Sequence, residues 1–167
     1  MNDPQVERTW RCKIESVVIA VLVLAFLTSL IAMVVYAGAQ PVATTSIRVI
    51  DGDTIALKGQ RQHIRLVGFN APETGRAECL EERQLGERAK RRLIALITSG
   101  QPDLTLIACS CEPGTEGTQW CNHGRSCGIL TVDRRDVGAV LIGEGLAVPF
   151  KCGRTSCPPT PRPWCGG

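Results

Sequence analysis

The short run Asp51-Gly52-Asp53-Thr54 places two carboxylates on either side of a glycine. Carboxylate oxygens are ligands that a hard cation such as Ca²⁺ prefers, so the pair could bind a calcium ion. The same residue types are common in tight turns, where glycine supplies a backbone angle that other residues avoid. Taken alone, the run predicts a turn more strongly than it predicts a metal site.

Three further charged residues could act on a phosphate group. Arg65 lies within a predicted strand, Glu73 follows it beside a proline, and Arg125 lies in a polar loop. A guanidinium group can bind two phosphate oxygens at once, and a carboxylate can orient or deprotonate a water molecule. Each residue also has a simpler interpretation, as a surface arginine, a carboxylate at a helix entry and an exposed loop arginine.

The segments that must position these residues are predicted to be strands and helices in one domain. Runs rich in β-branched residues predict the strands, and the first three follow one another closely enough to indicate an antiparallel meander. Apolar residues at helical spacing predict a helix after the third strand and a shorter one after the last strand. The predicted strands cover 46–50, 54–57, 63–69, 104–108 and 127–132, and the predicted helices cover 82–98 and 137–144.

This order of elements predicts a mainly β, α+β domain. Five strands with a helix after the third are typical of a small Greek-key barrel of the OB (oligonucleotide/oligosaccharide-binding) type. Aromatic residues make up only 4% of the chain, so the core must be largely aliphatic. The net charge of +3 is mild, and it permits a polyanionic partner without requiring one.

Five short motifs occur in a fixed order along this domain. They are VIDGDTI at 49–55, IRLVG at 64–68, APET at 71–74, GR at 124–125 and GLA at 145–147. In order and spacing the set resembles the staphylococcal thermonuclease family over residues 46–150. The resemblance implies an OB-fold nuclease that hydrolyses DNA and RNA with the help of Ca²⁺.

The resemblance implies a calcium site. Asp53 matches the family's main calcium-binding carboxylate, and Ala71 falls where the type enzyme offers a backbone carbonyl to the ion. Asn70 falls where the type enzyme has a second calcium-binding aspartate. An amide oxygen can still bind Ca²⁺ but carries no charge, so we expect a lower calcium affinity than the type enzyme has. Asp51 is then expected to support the turn.

The resemblance also implies the residues that act on the substrate. Arg65 and Arg125 match the family's two phosphate-binding arginines, and Glu73 matches the carboxylate proposed to activate the attacking water. His123 stands where the family usually has a tyrosine, and Phe150 follows the last motif in place of a pair of tyrosines. These two residues are therefore expected to make only weak substrate contacts, because few aromatic rings are left to stack on bases.

Residues 17–37 form an uncharged and mostly apolar run that is long enough to cross a lipid bilayer as a helix. Basic residues precede the run and none follows it before Arg48, so the rest of the chain is expected on the exported side. The length of the run favours an anchor, and a signal peptide cleaved after Ala39 is the alternative. The expected organisation is a stub with anchor or signal at 1–39, a linker at 40–45, the thermonuclease-like domain at 46–150 and a Cys- and Pro-rich tail at 151–167.

The chain has nine cysteines, of which Cys12 alone precedes the apolar run. The eight that follow it are an even number in an oxidising compartment, which predicts up to four disulfides without fixing their pairing. The tail is expected to be stapled to the domain by such bonds and to lack regular structure. A zinc site built from Cys109, Cys111 and His123 is the competing interpretation.

These observations favour a calcium-dependent phosphodiesterase that acts on DNA or RNA outside the cytoplasm, either tethered to the cell membrane or secreted. Two alternatives remain from the sequence. The domain could be a non-catalytic OB module that binds nucleic acid or another polyanion. It could also be an anchored adaptor of the cell envelope, for which the cysteine-rich tail is the only indication. The sequence implies no protein partner.

Overall fold

A computed structural model divides the chain into two units, Met1–Gly38 and Ala39–Gly167. The described residues are Ile19, 21–24, Phe26, 40–41 and 43–166. In the first unit these residues are helical and exposed. Within the part of the chain that is described, no helix is long and apolar enough to cross a membrane. The predicted anchor lies largely outside the described residues.

The second unit is a mixed α+β domain with a curled sheet. The strands described are β1 (Gln40–Pro41), β2 (Ile47–Val49), β3 (Thr54–Leu57), β4 (Ile64–Leu66), β5 (Gly68–Asn70), β6 (Pro102–Ile107), β7 (Ser126–Val132), β8 (Arg135–Asp136) and β9 (Val148–Phe150). The main sheet has seven strands in the order β1-β6-β7-β4-β3-β2, with β8 paired to β7. Apart from the two-residue strands β1 and β8, its strands curl into half of a barrel.

Strands β2, β3 and β4 pair antiparallel in sequence order, which confirms the predicted meander. Strand β7 joins this meander by pairing parallel to β4, with Arg65 opposite Cys127. Strand β6 then pairs antiparallel to β7 along six residues. The pairing of β4 with β7 brings Arg125, which directly precedes β7, next to the strand that carries Arg65.

The predicted strand at 63–69 is wrong as a single element. It divides into β4 and β5 at Gly68, whose φ of 95° lies in the left-handed region. The chain turns there and leaves the main sheet. Glycine suits this position because few other residues adopt that angle easily. Strand β5 then forms a separate two-stranded sheet with β9, in which Asn70 pairs with Val148. Strand β9 was not predicted.

The two predicted helices of the domain are confirmed with small changes of boundary: α1 covers Leu80–Ser99 and α2 covers Val137–Gly143. The carboxylate of Asp136 caps α2 by accepting a hydrogen bond of 2.7 Å from the backbone N–H of Ala139. Gly100 follows the last residue of α1, as the sequence indicates.

An aliphatic core joins the helices to the sheet, as the scarcity of aromatic residues predicts. Apolar side chains of β3 and β4 pack with the buried side of α1 and with α2. The most deeply buried members are Ile55, Ile64, Leu66, Ala89, Leu93, Leu130, Val137 and Leu141. This core holds β3, β4 and α1 in fixed positions around the loop that follows β5.

All eight cysteines of the second unit form disulfides, which confirms the predicted number. The pairs are Cys79–Cys165, Cys109–Cys127, Cys111–Cys121 and Cys152–Cys157. Residues 151–166 contain no regular secondary structure, and Cys79–Cys165 fastens their far end to the start of α1. The tail is therefore stapled to the domain as expected.

Candidate active site

The segment between β2 and β3 is a turn, and the side chain of Asp51 stabilises it. Its Oδ1 accepts a hydrogen bond of 3.1 Å from the backbone N–H of Asp53. The prediction that Gly52 supplies an unusual backbone angle is wrong, since Gly52 is not among the glycines with positive φ. A Cβ on Gly52 would instead lie 2.6 Å from the Cβ of Ala71 and 2.9 Å from that of Ala89. Glycine is needed here because the turn packs directly against the loop after β5 and against α1.

Asp53 is the carboxylate that ties this turn to the rest of the site. It is only 6% exposed. Its Oδ1 accepts a hydrogen bond of 3.1 Å from the hydroxyl of Thr54, and its Oδ2 accepts one of 2.8 Å from the backbone N–H of Ala71. Oδ2 also pairs with the guanidinium of Arg65. Three segments of the chain therefore meet at one carboxylate.

Arg65 projects from β4 into this cluster. Its Nη2 donates to the side-chain oxygen of Asn70 at 2.7 Å and to the backbone carbonyl of Phe69 at 3.2 Å. Burial of the guanidinium, helped by the nearby charge of Arg125, lowers the pKa of Arg65 to about 10, although nearby carboxylates raise it. Arg65 therefore remains charged at neutral pH.

Arg125 lies near Arg65, directly after a short 3₁₀ turn at Asn122–Gly124. Its Nε donates to the backbone carbonyl of Asn122 at 3.0 Å, and its Nη2 donates to the side-chain oxygen of Asn122 at 2.9 Å. Burial lowers the pKa of Arg125, against the opposing charges of Asp51 and Glu73. The sequence did not point to Asn122, whose positive φ of 50° is compatible with asparagine.

The charges of Asp51 and Glu73 complete the cluster. Burial raises the pKa of Asp51, while the Thr54 hydrogen bond and the charges of Arg65 and Arg125 oppose this. Glu73 in turn stabilises the charged forms of both arginines. Asp51 therefore does more than support the turn, because the charge of its carboxylate also favours the charged forms of both arginines.

The loop that carries Glu73 is fixed by Glu82, a residue of α1. Glu82 is fully buried, and its two oxygens accept hydrogen bonds from the backbone N–H groups of Glu73 at 3.4 Å and Glu78 at 2.8 Å. The sequence contains a signal for this role. Glu82 lies at helical spacing from Ala89 and Leu93, and a carboxylate at a core position needs partners.

Of the four other predicted site residues, two lie in the cluster around Asp53 and Arg65 and two lie apart from it. Asn70 and Ala71 contact Arg65 and Asp53 as described, so the predicted calcium ligands are adjacent. His123 is exposed in the turn before Arg125, and Phe150 is partly buried in β9 opposite Gly68. Among the described residues, no hydrogen bond or ion pair joins either of these two side chains to the cluster.

The eight cysteines among the described residues offer no zinc site while they are oxidised. Cys109 and Cys111 belong to separate disulfides, so the alternative with His123 is wrong. Cys79, Glu82 and Cys165 do lie together, with potential ligand atoms within 4.8 Å of one another. The two sulfurs are bonded to each other, however, and this group could bind a metal ion only after reduction.

Comparisons with known proteins do not assign the chain. No protein-family model matches it, and no curated protein has a sequence that matches it. The geometry of the cluster is therefore the basis for a functional proposal.

Proposed function

We propose that the second unit is a calcium-dependent phosphodiesterase of the thermonuclease type that hydrolyses DNA or RNA. One observation carries this proposal. Asp53, Arg65, Asn70 and Ala71 are in direct contact, and Glu73 and Arg125 lie close enough to influence the same charges. These residues are the ones that the motif resemblance marks as functional, although they come from distant parts of the sequence.

The topology supports an OB-type barrel. The five strands with more than two residues in the main sheet follow the order β6-β7-β4-β3-β2, with the single parallel contact between β4 and β7. The two later strands join the meander at β4, its last strand, and β7 lies between β4 and β6. OB folds are partly open Greek-key barrels, and this strand order is compatible with one. The long helix lies between β5 and β6 in sequence, as expected for this type of domain.

The two arginines are suited to stabilise charge on a phosphodiester. As the transition state forms, negative charge grows on the phosphoryl oxygens, and fixed cationic donors lower its energy. Arg65 is held by backbone and side-chain acceptors, and Arg125 is held by Asn122. Both groups are thus oriented before substrate binds. Glu73, partly exposed in the neighbouring loop, is the carboxylate available to orient or deprotonate the attacking water.

The residues present fit a calcium ion. The side-chain oxygens of Asp53 and Asn70 lie close together, because both contact the guanidinium of Arg65. A cation bound beside them would share these oxygens with Arg65. Oxygen donors of this kind suit a hard cation, and Asp53, Asn70 and the carbonyl of Ala71 would bind it. When bound, Ca²⁺ would supply positive charge next to the scissile phosphate.

We place this activity outside the cytoplasm. Four disulfides in a unit of modest size are typical of proteins that fold in an oxidising compartment. The apolar run at 17–37 would either anchor the chain in the cell membrane or direct its secretion. The cleavage products would then form in the periplasm or outside the cell.

The test uses the full oxidised chain in mild detergent, with single- and double-stranded DNA and RNA, in Ca²⁺ or in EGTA. We expect cleavage that requires Ca²⁺. Cleavage that persists in EGTA would contradict the calcium mechanism, and tight binding without cleavage would favour the non-catalytic OB module.

Variants assign the roles. Glu73→Gln is expected to lower kcat by about 10²–10⁴-fold, and Arg65→Ala by about 10²–10³-fold. Glu81→Gln and Arg48→Ala are matched controls on exposed positions, and both should cleave at the normal rate. Near-normal activity of Glu73→Gln would remove its role toward the water.

A further inference from the structure

The end of the chain docks on the domain without contributing to its hydrophobic core. Every member of the core cluster lies between Ile55 and Ala147. Residues 151–160 are exposed, and partial burial resumes only at 161–165. We call residues 161–165 the terminal segment. None of its residues belongs to the core cluster or packs against it, whereas hydrogen bonds, ion pairs and one disulfide join it to the domain.

These partners lie at the two ends of the loop that carries Glu73. At the start of the loop, the side-chain N–H of Asn70 donates to the carbonyl of Pro161 at 3.0 Å. At its end, Cys79 is bonded to Cys165. The terminal segment therefore spans the loop from the last residue of β5 to the cap of α1.

Arg162 contacts the loop between these two ends. Its Nη2 donates to the carbonyl of Arg76 at 3.0 Å, and its Nη1 pairs with the carboxylate of Glu78 at 2.9 Å. Its Nε and Nη2 donate to the buried carboxylate of Glu82 at 2.7–3.1 Å. The carboxylate of Glu82 also accepts a hydrogen bond from the backbone N–H of Glu73. Arg162 therefore compensates the negative charge of the residue that holds this loop.

We infer that Arg162 is a positioning residue for Glu73, acting through Glu82, and this inference rests on the function proposed above. Without Arg162, Glu82 would be a buried charge that no other cation among the described residues pairs with. It would then have to take up a proton or admit water, and either change weakens its hydrogen bonds to the loop. Glu73 would sample a wider range of positions, whereas Asp53, Arg65 and Arg125 would keep their own contacts.

The test compares Arg162→Gln and Arg162→Lys with Arg154→Gln in the full oxidised chain. Arg154 is a matched control, because it is an exposed arginine of the same tail, within the loop closed by Cys152 and Cys157. Hydrogen exchange is measured at the backbone N–H groups of Glu73 and Glu78. Cleavage of a DNA oligonucleotide in Ca²⁺ gives kcat and KM, and thermal unfolding gives Tm.

For Arg162→Gln we expect exchange at both N–H groups to speed up by about 10-fold or more. We expect kcat to fall by about 10–100-fold with KM nearly unchanged, because misplacement of a reacting group is felt mainly in the transition state. Arg162→Lys should recover part of both losses, and it also serves if Arg162→Gln does not fold. Arg154→Gln should match the wild type in every measurement.

Other results would overturn the inference. A lower Tm with unchanged exchange and unchanged kcat would make Arg162 a purely stabilising residue. A higher KM with unchanged kcat would make it a substrate contact. If the wild type cleaves nothing but Arg162→Gln still speeds exchange at both N–H groups, the loop contact stands and the nuclease proposal fails.

Discussion

Gly86 lies on the side of α1 that faces the Glu73 loop, and replacing it with alanine tests how tightly the helix and the loop pack. A Cβ on Gly86 would lie 2.7 Å from the carbonyl oxygens of both Pro72 and Glu73, and 3.0 Å from the carbonyl carbon of Glu73. These are backbone atoms, which cannot rotate away as the end of a side chain can. Either the loop or the helix must therefore move by several tenths of an ångström.

Two effects of opposite sign decide the outcome. In a helix interior, alanine is normally more stable than glycine by about 1 kcal/mol. Overpacking of a filled site costs about 1–3 kcal/mol, and two backbone contacts place this case in the upper half of that range. We therefore expect Gly86→Ala to lower the free energy of unfolding by about 1–2 kcal/mol, measured by urea denaturation followed by circular dichroism.

Gly143 provides the control for Gly86, since it is also a helical glycine and a Cβ there would meet nothing within 4 Å. Gly143→Ala is expected to leave stability unchanged or raise it by up to about 1 kcal/mol. If Gly86→Ala were as stable as the wild type while Gly143→Ala behaved as expected, the tight packing of α1 against the loop would be refuted. We also expect Gly86→Ala to lower kcat, because the displaced loop carries Glu73.

Three further predictions concern charge. Burial raises the pKa of Glu82, but hydrogen bonds from Arg162 and from the loop lower it by a larger amount. The pKa of Glu82 is therefore below its ordinary value of 4.5. Its ionised form thus contributes stability above pH 4.5 that is lost as the pH falls through the lowered pKa. Urea denaturation should therefore show that Glu82→Gln is strongly destabilised at pH 7 and less destabilised in acid. The hydrogen bond from Arg92 lowers the pKa of Glu144. Glu144→Gln should therefore also lower the free energy of unfolding at pH 7, but by less than Glu82→Gln, because this pair is exposed and screened by solvent. Asn70→Asp should bind Ca²⁺ more tightly by calorimetry, because it adds a charge, and should have a lower Tm, because a carboxylate cannot donate to the tail.

Local sequence patterns predicted the elements that depend on neighbouring residues. The apolar spacing in α1 recurs in its buried face, where Ala89, Leu93 and Ile97 are found. The meander followed from short β-branched runs separated by turns, and β2, β3 and β4 pair as expected. The number of disulfides followed from an even cysteine count. The helix and the meander are decided by interactions within a short window of sequence, and the number of disulfides depends only on the cysteine count.

Features that depend on contacts between distant segments could not be predicted in this way. The separation of β5 from β4 requires both the left-handed angle of Gly68 and a partner, β9, from the far end of the domain. The need for glycine at position 52 likewise depends on Ala71 and Ala89, which come from other segments and pack against it. Disulfide pairing belongs to the same class, because cysteine spacing does not determine which sulfurs meet.

Two departures from the thermonuclease pattern, Asn70 and the cysteine-rich tail, are connected in the structure. The side chain of Asn70 accepts a hydrogen bond from Arg65 through Oδ1 and donates one to Pro161 through Nδ2. The opposite orientation of the amide would face a donor toward Arg65 and an acceptor toward a carbonyl, so both partners select the same orientation. An aspartate could satisfy Arg65 but has no N–H for the tail when ionised. The residue that carries no charge in the proposed calcium site is therefore also one of the residues that hold the tail, together with the Cys79–Cys165 disulfide and Arg162.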